Sequence, residues 1–169
     1  KRGLLVRVAA DQSEGGGHWN GPVDSRHWTF AYVAIPESKP VRPGMHKPYS
    51  LVVPALGRFR VTLPGHLAGQ SMHLDPDFAN LTYGDQGQRA RQIQTKLTTG
   101  DLIAFYAGMR EVNHSGLVYA LIGLFIIEAI TPVQQVHESQ WDRNAHTRRQ
   151  FSAGATDVVV TAKPGVSGR

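Results

Sequence analysis

Three short stretches of this chain hold side chains whose types and spacing suit ligand binding or proton transfer. Asp11, Gln12, Ser13, Trp19 and Asn20 stand among Gly15, Gly16, Gly17 and Gly21. Glycines let backbone amides come close to a phosphate or a base. A tryptophan can stack on a base, and Asp, Gln and Asn can read a base edge through paired hydrogen bonds. The competing reading is a polar surface loop that only meets water. Against it stands the entropy cost of ordering so many glycines. The loop lacks the Gly-Lys-Ser/Thr ending of a nucleoside-triphosphate phosphate loop.

The second stretch, Tyr83-Gly84-Asp85-Gln86-Gly87-Gln88-Arg89, opens an expected helix. A helix N-terminus offers free amides and a positive dipole that suit an anion. Tyr83 can stack and Arg89 adds charge, while Gln86 can hydrogen-bond a base. Asp85 can equally satisfy those amides itself as a plain cap. The third stretch, His73-Leu74-Asp75-Pro76-Asp77, alternates residues that bind zinc, iron or manganese. Pro76 can instead shape a turn, and Asp75 or Asp77 can cap a short helix. A two-histidine, one-carboxylate site needs a second histidine, and the sequence singles none out. Neither a metal nor a cofactor is expected.

The remaining chemistry-bearing residues are more dispersed. His18, His27, His66, His137 and His146 are scattered, and His114 falls in a turn. No Ser-His-Asp order stands out, so nothing supports a nucleophilic hydrolase. Arg148 and Arg149, in a basic run from Arg143, join Arg89 as phosphate candidates. A solvated basic face accounts for the same charges. Arg58 and Arg60 flank Phe59, a pattern of basic strands that meet nucleic acid and of ordinary exposed strands alike.

These residues need elements to hold them. Leu4 to Ala10 reads as a first strand, followed by a Gly-rich loop from Asp11 to Arg26. Trp28 to Ile35 alternates as a second strand with Trp28, Phe30 and Tyr32 on one face. Pro36 to Pro54 holds five prolines and is expected to be irregular. Phe59 to Leu63 reads as a short strand and Pro64 to Tyr83 as loop. Asp85 to Leu97 is the best helix, with Asp85 and Gln88 spaced as a capping box. Gly100-Asp101 then launches a strand to Gly108, and Asn113 to Gly116 form a polar turn. Leu117 to Ile130 is a long apolar strand interrupted by Gly123, which marks a bulge, a bend or a close backbone approach. Val133 to Asn144 reads as a weak helix and Val158 to Thr161 as a last strand.

With 169 residues, 41% of them hydrophobic, the chain is long enough for one cored domain and too apolar for disorder. Its 18 glycines and 10 prolines favour short strands and many turns. A net charge of +5 is compatible with nucleic acid and with an ordinary basic protein. No cysteine is present, which fits a reducing compartment. Leu117 to Ile130 is too short for a membrane-crossing helix, and nothing at the N-terminus reads as a signal peptide. A cytoplasmic location is expected. The chain starts at Lys1 rather than Met, which leaves open that residues precede it. Nothing in the sequence fixes the oligomeric state.

The block Gly100-Asp101-Leu102-Ile103-Ala104-Phe105-Tyr106-Ala107-Gly108, with Ala120-Leu121-Ile122-Gly123-Leu124-Phe125, resembles the PUA-like superfamily of ASCH, EVE, YTH and SRA domains. A wider set of segments resembles the third nucleotide-modification-associated domain family. It comprises Leu5-Val6-Arg7-Val8, Asp11-Gln12-Ser13, Gly16-Gly17-His18-Trp19-Asn20-Gly21-Pro22, Tyr32-Val33-Ala34-Ile35-Pro36-Glu37, His73-Leu74-Asp75-Pro76-Asp77-Phe78 and Leu81-Thr82-Tyr83-Gly84-Asp85-Gln86-Gly87. The resemblance implies an α+β fold: a small bent mixed β-barrel of PUA-like type with one or two flanking helices, forming a single domain over residues 1–169. In such a family the domain can also continue beyond Arg169. The implied function is recognition of a nucleic acid or nucleotide, with a modified base in a DNA-modification or defence setting. The alternative is an enzyme acting on a nucleotide or base, with Asp11, His73, Asp75 or Asp85 as acid, base or ligand.

Overall fold

A computed structural model describes residues 1–169. Two long strands organise it, β7 (Leu102–Glu111) and β8 (Leu117–Pro132), numbered by their places among nine strands. Gly100 takes a left-handed φ of +88° at the entrance to β7. Beside it, the buried Asp101 accepts the amides of Arg2 at 2.8 Å and Thr98 at 3.0 Å. That is the physical work of the Gly-Asp pair: it fastens the N-terminus of the chain to the start of the central strand.

One edge of β7 is shared by two parallel neighbours. β1 (Gly3–Arg7) pairs with Leu102–Tyr106, and β2 (Pro22–Asp24) pairs with Arg110 and Glu111. β3 (Thr29–Phe30) folds back on β2. On the other edge β8 runs antiparallel to β7 as far as Ile126, and from Ile127 onward pairs with β9 (Val158–Ala162). β6 (Thr82–Asp85) closes the order on β9. The result is an α+β fold with a mixed seven-strand sheet, ordered β3-β2-β7-β8-β9-β6 with β1 also on β7. A separate pair, β4 (Ile35–Pro36) and β5 (Met72–His73), lies outside that sheet. The helices are short: α1 (Val53–Arg58), α2 (Gly65–Ala68), α3 (Gly87–Lys96) and α4 (Ala145–Arg148). No helix is long and apolar enough to cross a membrane.

Gly123 acts as its position in an apolar strand predicts. Phe105 pairs with Gly123 and Tyr106 with Leu121, so Ile122 is an extra, bulged residue. A Cβ on Gly123 would run into the ring of Phe78 and lie 3.0 Å from the carbonyl of Gly168. Phe78 uses this space to pack edge-on against Phe105 at 5.8 Å and Phe125 at 5.6 Å. Tyr83 and Tyr32 extend the aromatic core at 5.2 Å from Phe105 and Phe78.

Several local expectations are corrected. The strand expected over Trp28 to Ile35 is broken, because Trp28 takes a left-handed φ of +56° and Ala31, Tyr32, Val33 and Ala34 cross the core as buried irregular chain. Val33 and Ala34 find partners in Ala10 N–H and the Tyr49 hydroxyl. Within the proline-rich segment, Pro54 starts α1 rather than blocking it, since the first helical turn needs no amide donor there. Phe59 and Arg60 then fold back on the end of α1, with Arg60 at φ +55°, so no strand forms from Phe59 to Leu63. Within the stretch expected as loop, α2, β5 and β6 form. Asp85 belongs to β6, opposite Val158, and α3 begins at Gly87 with no side-chain cap. Val133 to Asn144 forms two 3₁₀ turns instead of a helix.

Because Phe78 occupies the space a side chain would take, Gly123→Val should destabilise the fold by about 1–3 kcal/mol. Urea unfolding should show a lower midpoint with an unchanged slope, whereas an unaltered midpoint would contradict the packing described.

Candidate functional site

β5 carries His73 into the protein on the side opposite Met72 and Leu74, as strand alternation requires. Asp75 follows two residues later. The 3₁₀ turn Glu138–Arg143 leads to Asn144, whose side chain caps α4 by accepting the amide of His146 at 2.8 Å. That cap turns the His146 ring toward His73, the centroids 5.0 Å apart and the planes crossing at 71°. The His73, Asp75 and His146 side chains are 9%, 5% and 5% exposed, and each offers one ligand atom within 4.8 Å of the others. His73 Nδ1 donates to Glu37 Oε2 at 2.8 Å, and His146 Nδ1 donates to Asp157 Oδ2 at 2.6 Å. Glu37 is also gripped by Arg149 at 2.7 Å. Asp75 accepts the Gly84 amide at 2.9 Å and Asn144 Nδ2 at 2.9 Å. Gly84 is required here, since a Cβ would collide with His146 and Asn144.

Electrostatics sort these groups by environment. Burial would raise Glu37, but hydrogen bonds from His73 and Arg149 bring it down to about 2, so it stays ionised. Burial pushes His73 down to about 4, which keeps its ring neutral at ordinary pH. Burial lifts Asp75 to about 7 against the pull of His146, Gly84 and Asn144. Burial would raise Asp157, but its bond to His146 and the charges of His146, Lys39 and Arg149 together hold it below its usual range. Neighbouring Arg148 is paired with Asp77 at 2.5 Å, both side chains 3% exposed.

Two openings flank this cluster. On one side a polar cleft of about 520 Å³ is lined by His146, Asp157, Arg149, Lys39, Gln86 and Gly87, at the N-terminus of α3. On the other side a groove of about 1200 Å³ is lined by Phe30, Tyr32, Phe59, Phe78, Arg58 and Arg60, with Met72, Leu74 and Asp77 in its wall. The Tyr32 hydroxyl is buried and has no hydrogen-bond partner. Burial and the charges of Asp75 and Asp77 hold it well above the usual tyrosine range, so it is a neutral donor. Arg58 and Arg60 are exposed and take part in no ion pair.

The residues singled out in the sequence divide among different places. Asp11 accepts Ser13 N and Oγ and pairs with Arg7 at 3.2 Å. Gln12 donates to Asn20 at 2.7 Å, and the buried Asn20 donates to the Gly108 carbonyl at 2.8 Å. Trp19 packs against the core. None of these five lines the cleft or the groove. Tyr83 is buried with its hydroxyl on Asp85, while Gln86 accepts from Lys39 at 2.6 Å in the cleft. Arg149 reaches the same cleft, Arg148 is engaged with Asp77, and Arg89 is half-buried beside Tyr83.

The family model described as nucleotide modification associated domain 3 matches residues 2–169. The chain belongs to this family. No curated protein and no solved structure matches it. Within this family member, the histidine cluster uses residues that sequence reading passed over. His146 stood only among scattered histidines, and Glu37 and Asp157 were not singled out. No spacing links the four segments, because the sheet brings them together from far apart in the chain. Asn144 followed by His146 was the one local signal, an N-cap that fixes a histidine.

Arg148 and Asp77 should behave as a buried pair. Asp77→Asn is expected to cost about 3–5 kcal/mol, by leaving the guanidinium without its buried charge partner and with only the exposed Asp142 at 3.3 Å. In a double-mutant cycle by chemical unfolding, Asp77→Asn with Arg148→Met should cost less than the sum of the single changes. Strict additivity would show that the two do not act as a pair.

Proposed function

We propose that this domain recognises a nucleotide unit, free or within a nucleic acid, in the aromatic groove beside Tyr32. The carrying observation is the buried Tyr32 hydroxyl without a partner, at the wall of a groove lined by Phe30, Phe59 and Phe78. A native protein rarely leaves such a donor unpaired, and a base edge would satisfy it. The aromatic rings would stack on the base, and Arg58 and Arg60 would hold phosphates without reading sequence. Membership of a nucleotide-modification-associated family supports a modified base as the ligand, in a DNA-modification or defence setting. The bent, bulged β7–β8–β9 system supports reading the scaffold as a PUA-like barrel.

Gln86, Arg149 and Lys39 at the N-terminus of α3 supply a second phosphate position in this reading. Base contact is assigned to the groove in preference to the Asp11, Gln12, Ser13, Trp19 and Asn20 loop, whose side chains satisfy one another. A second reading, an enzyme acting on the bound nucleotide, draws on the buried His73, Asp75 and His146 group.

Equilibrium binding to short oligonucleotides, with and without base modifications, tests the proposal. Tyr32→Phe should weaken binding about 3- to 10-fold while leaving the free protein as stable or more stable, since it removes an unsatisfied hydroxyl. Arg58→Ala and Arg60→Ala should weaken all sequences alike and flatten the salt dependence by about 1 each. Wild-type affinity in all three variants would refute the groove as the site. Turnover of a nucleotide in a mass-spectrometric screen would favour the enzyme.

A further inference from the structure

The histidine cluster has an arrangement that hydrogen bonding alone does not explain. Nδ1 of His73 and of His146 are each taken by a carboxylate, Glu37 and Asp157. What remains is Nε2 on each ring. His146 Nε2 lies 3.7 Å from Asp75 Oδ2, longer than a hydrogen bond, although both groups are buried. The two rings meet edge to face. One donor atom from each of the three residues lies within 4.8 Å of the others, and donors bound to one ion lie about 3.0–3.6 Å apart, so the group would draw inward to close around a cation.

The surroundings have the form that metal centres use. A carboxylate behind each imidazole fixes its tautomer and orientation. Those supports are themselves held, Glu37 by Arg149 Nε at 2.8 Å and the Lys39 amide at 2.9 Å. Asp75 is aimed by the Gly84 amide, shared between Oδ1 and Oδ2, and by Asn144 on Oδ1, with Oδ2 facing His146. Three ligands from β5, the segment after it and α4 are thus positioned by a rigid shell before any ion arrives.

We propose that His73, Asp75 and His146 form a mononuclear site for a first-row divalent transition ion. Two imidazoles and one carboxylate suit Fe²⁺, Co²⁺, Mn²⁺ or Zn²⁺ and disfavour Ca²⁺ and Mg²⁺, which take oxygen ligands. Three protein ligands leave coordination positions for water or substrate. The site stands independently of what fills the groove, so metal binding and oligonucleotide binding are measured separately.

The test titrates the full chain, stripped with a chelator, with Co²⁺ alone. Saturation of the visible d–d absorption at one equivalent is expected, with displacement by Zn²⁺. Tm should rise by about 5–10 °C when free metal is a hundredfold above Kd. Asp75→Asn should weaken Co²⁺ binding at least tenfold, and Glu37→Gln by about 10- to 100-fold through the support behind His73. If a variant fails to fold, pulsed electron paramagnetic resonance of the Cu²⁺-loaded wild type counts the coordinated imidazoles directly, and two are expected. A folded wild type without saturable binding would overturn the proposal. So would folded variants that bind as the wild type does, or an imidazole count other than two.

Discussion

The need to pair charge that has been taken out of water governs this molecule. Glu37 meets both His73 and Arg149, Arg148 meets Asp77, and His146 meets Asp157, all within a few residues of one another in space. An ionised group left alone in such a place costs several kcal/mol, so the segments carrying these groups are obliged to arrive together. That obligation binds the irregular chain after β4, the strand β5 and the C-terminal region from α4 to Asp157, ahead of β9. None of these is held by a long ladder of its own: β4 and β5 pair over two residues each, and α4 is a single turn. The ion pairs and the caps do for them what hydrogen-bond ladders do for β7 and β8.

The sheet supplies the rigid partner of this arrangement. β8 changes neighbours midway, from β7 to β9, and the bulge at Ile122 accompanies the change. Phe78 fills the space above Gly123 and follows Asp75 and Asp77 by a few residues. The aromatic plug therefore anchors the same loop that presents the two carboxylates. Packing and electrostatics are joined there: Phe78 sets the height of the loop over the sheet, and Arg148 and Asn144 set the direction of Asp77 and Asp75.

What the sequence made legible was local. Long apolar runs located β7 and β8, the Gly-Asp pair located the start of β7, and Gly123 marked a bulge, a bend or a close approach in β8. The apolar stripe of Ala90 and Ile93 located α3, though not its cap. Ends and short elements failed where tertiary contacts outweighed pattern, as when Arg60 turned left-handed and replaced a strand with a helix end. The triplet Arg58-Phe59-Arg60 was visible as a possible nucleic-acid contact, Phe30 and Tyr32 only as one face of an expected strand, and the fold sets both on one groove. Of the histidine cluster, His73 and Asp75 were visible as candidate ligands, and His146 with the supporting Glu37 and Asp157 was not. Its members come from four segments, and a spacing rule cannot see a contact made only by the topology.

β5 lies between the groove and the histidine cluster. Met72 and Leu74 line the groove, while His73 between them faces His146. Asp77, in the groove wall, is held by Arg148, whose neighbour Arg149 holds Glu37 and through it His73. A ligand in the groove and the group at the cluster are therefore one strand apart and joined by two consecutive arginines. Burial first, and then the charges of Asp75 and Asp77, raise the Tyr32 hydroxyl in ionisation. On the two proposals, a ligand in the groove and an ion at the cluster would act from opposite faces of one short segment, beside Asp75 and Asp77.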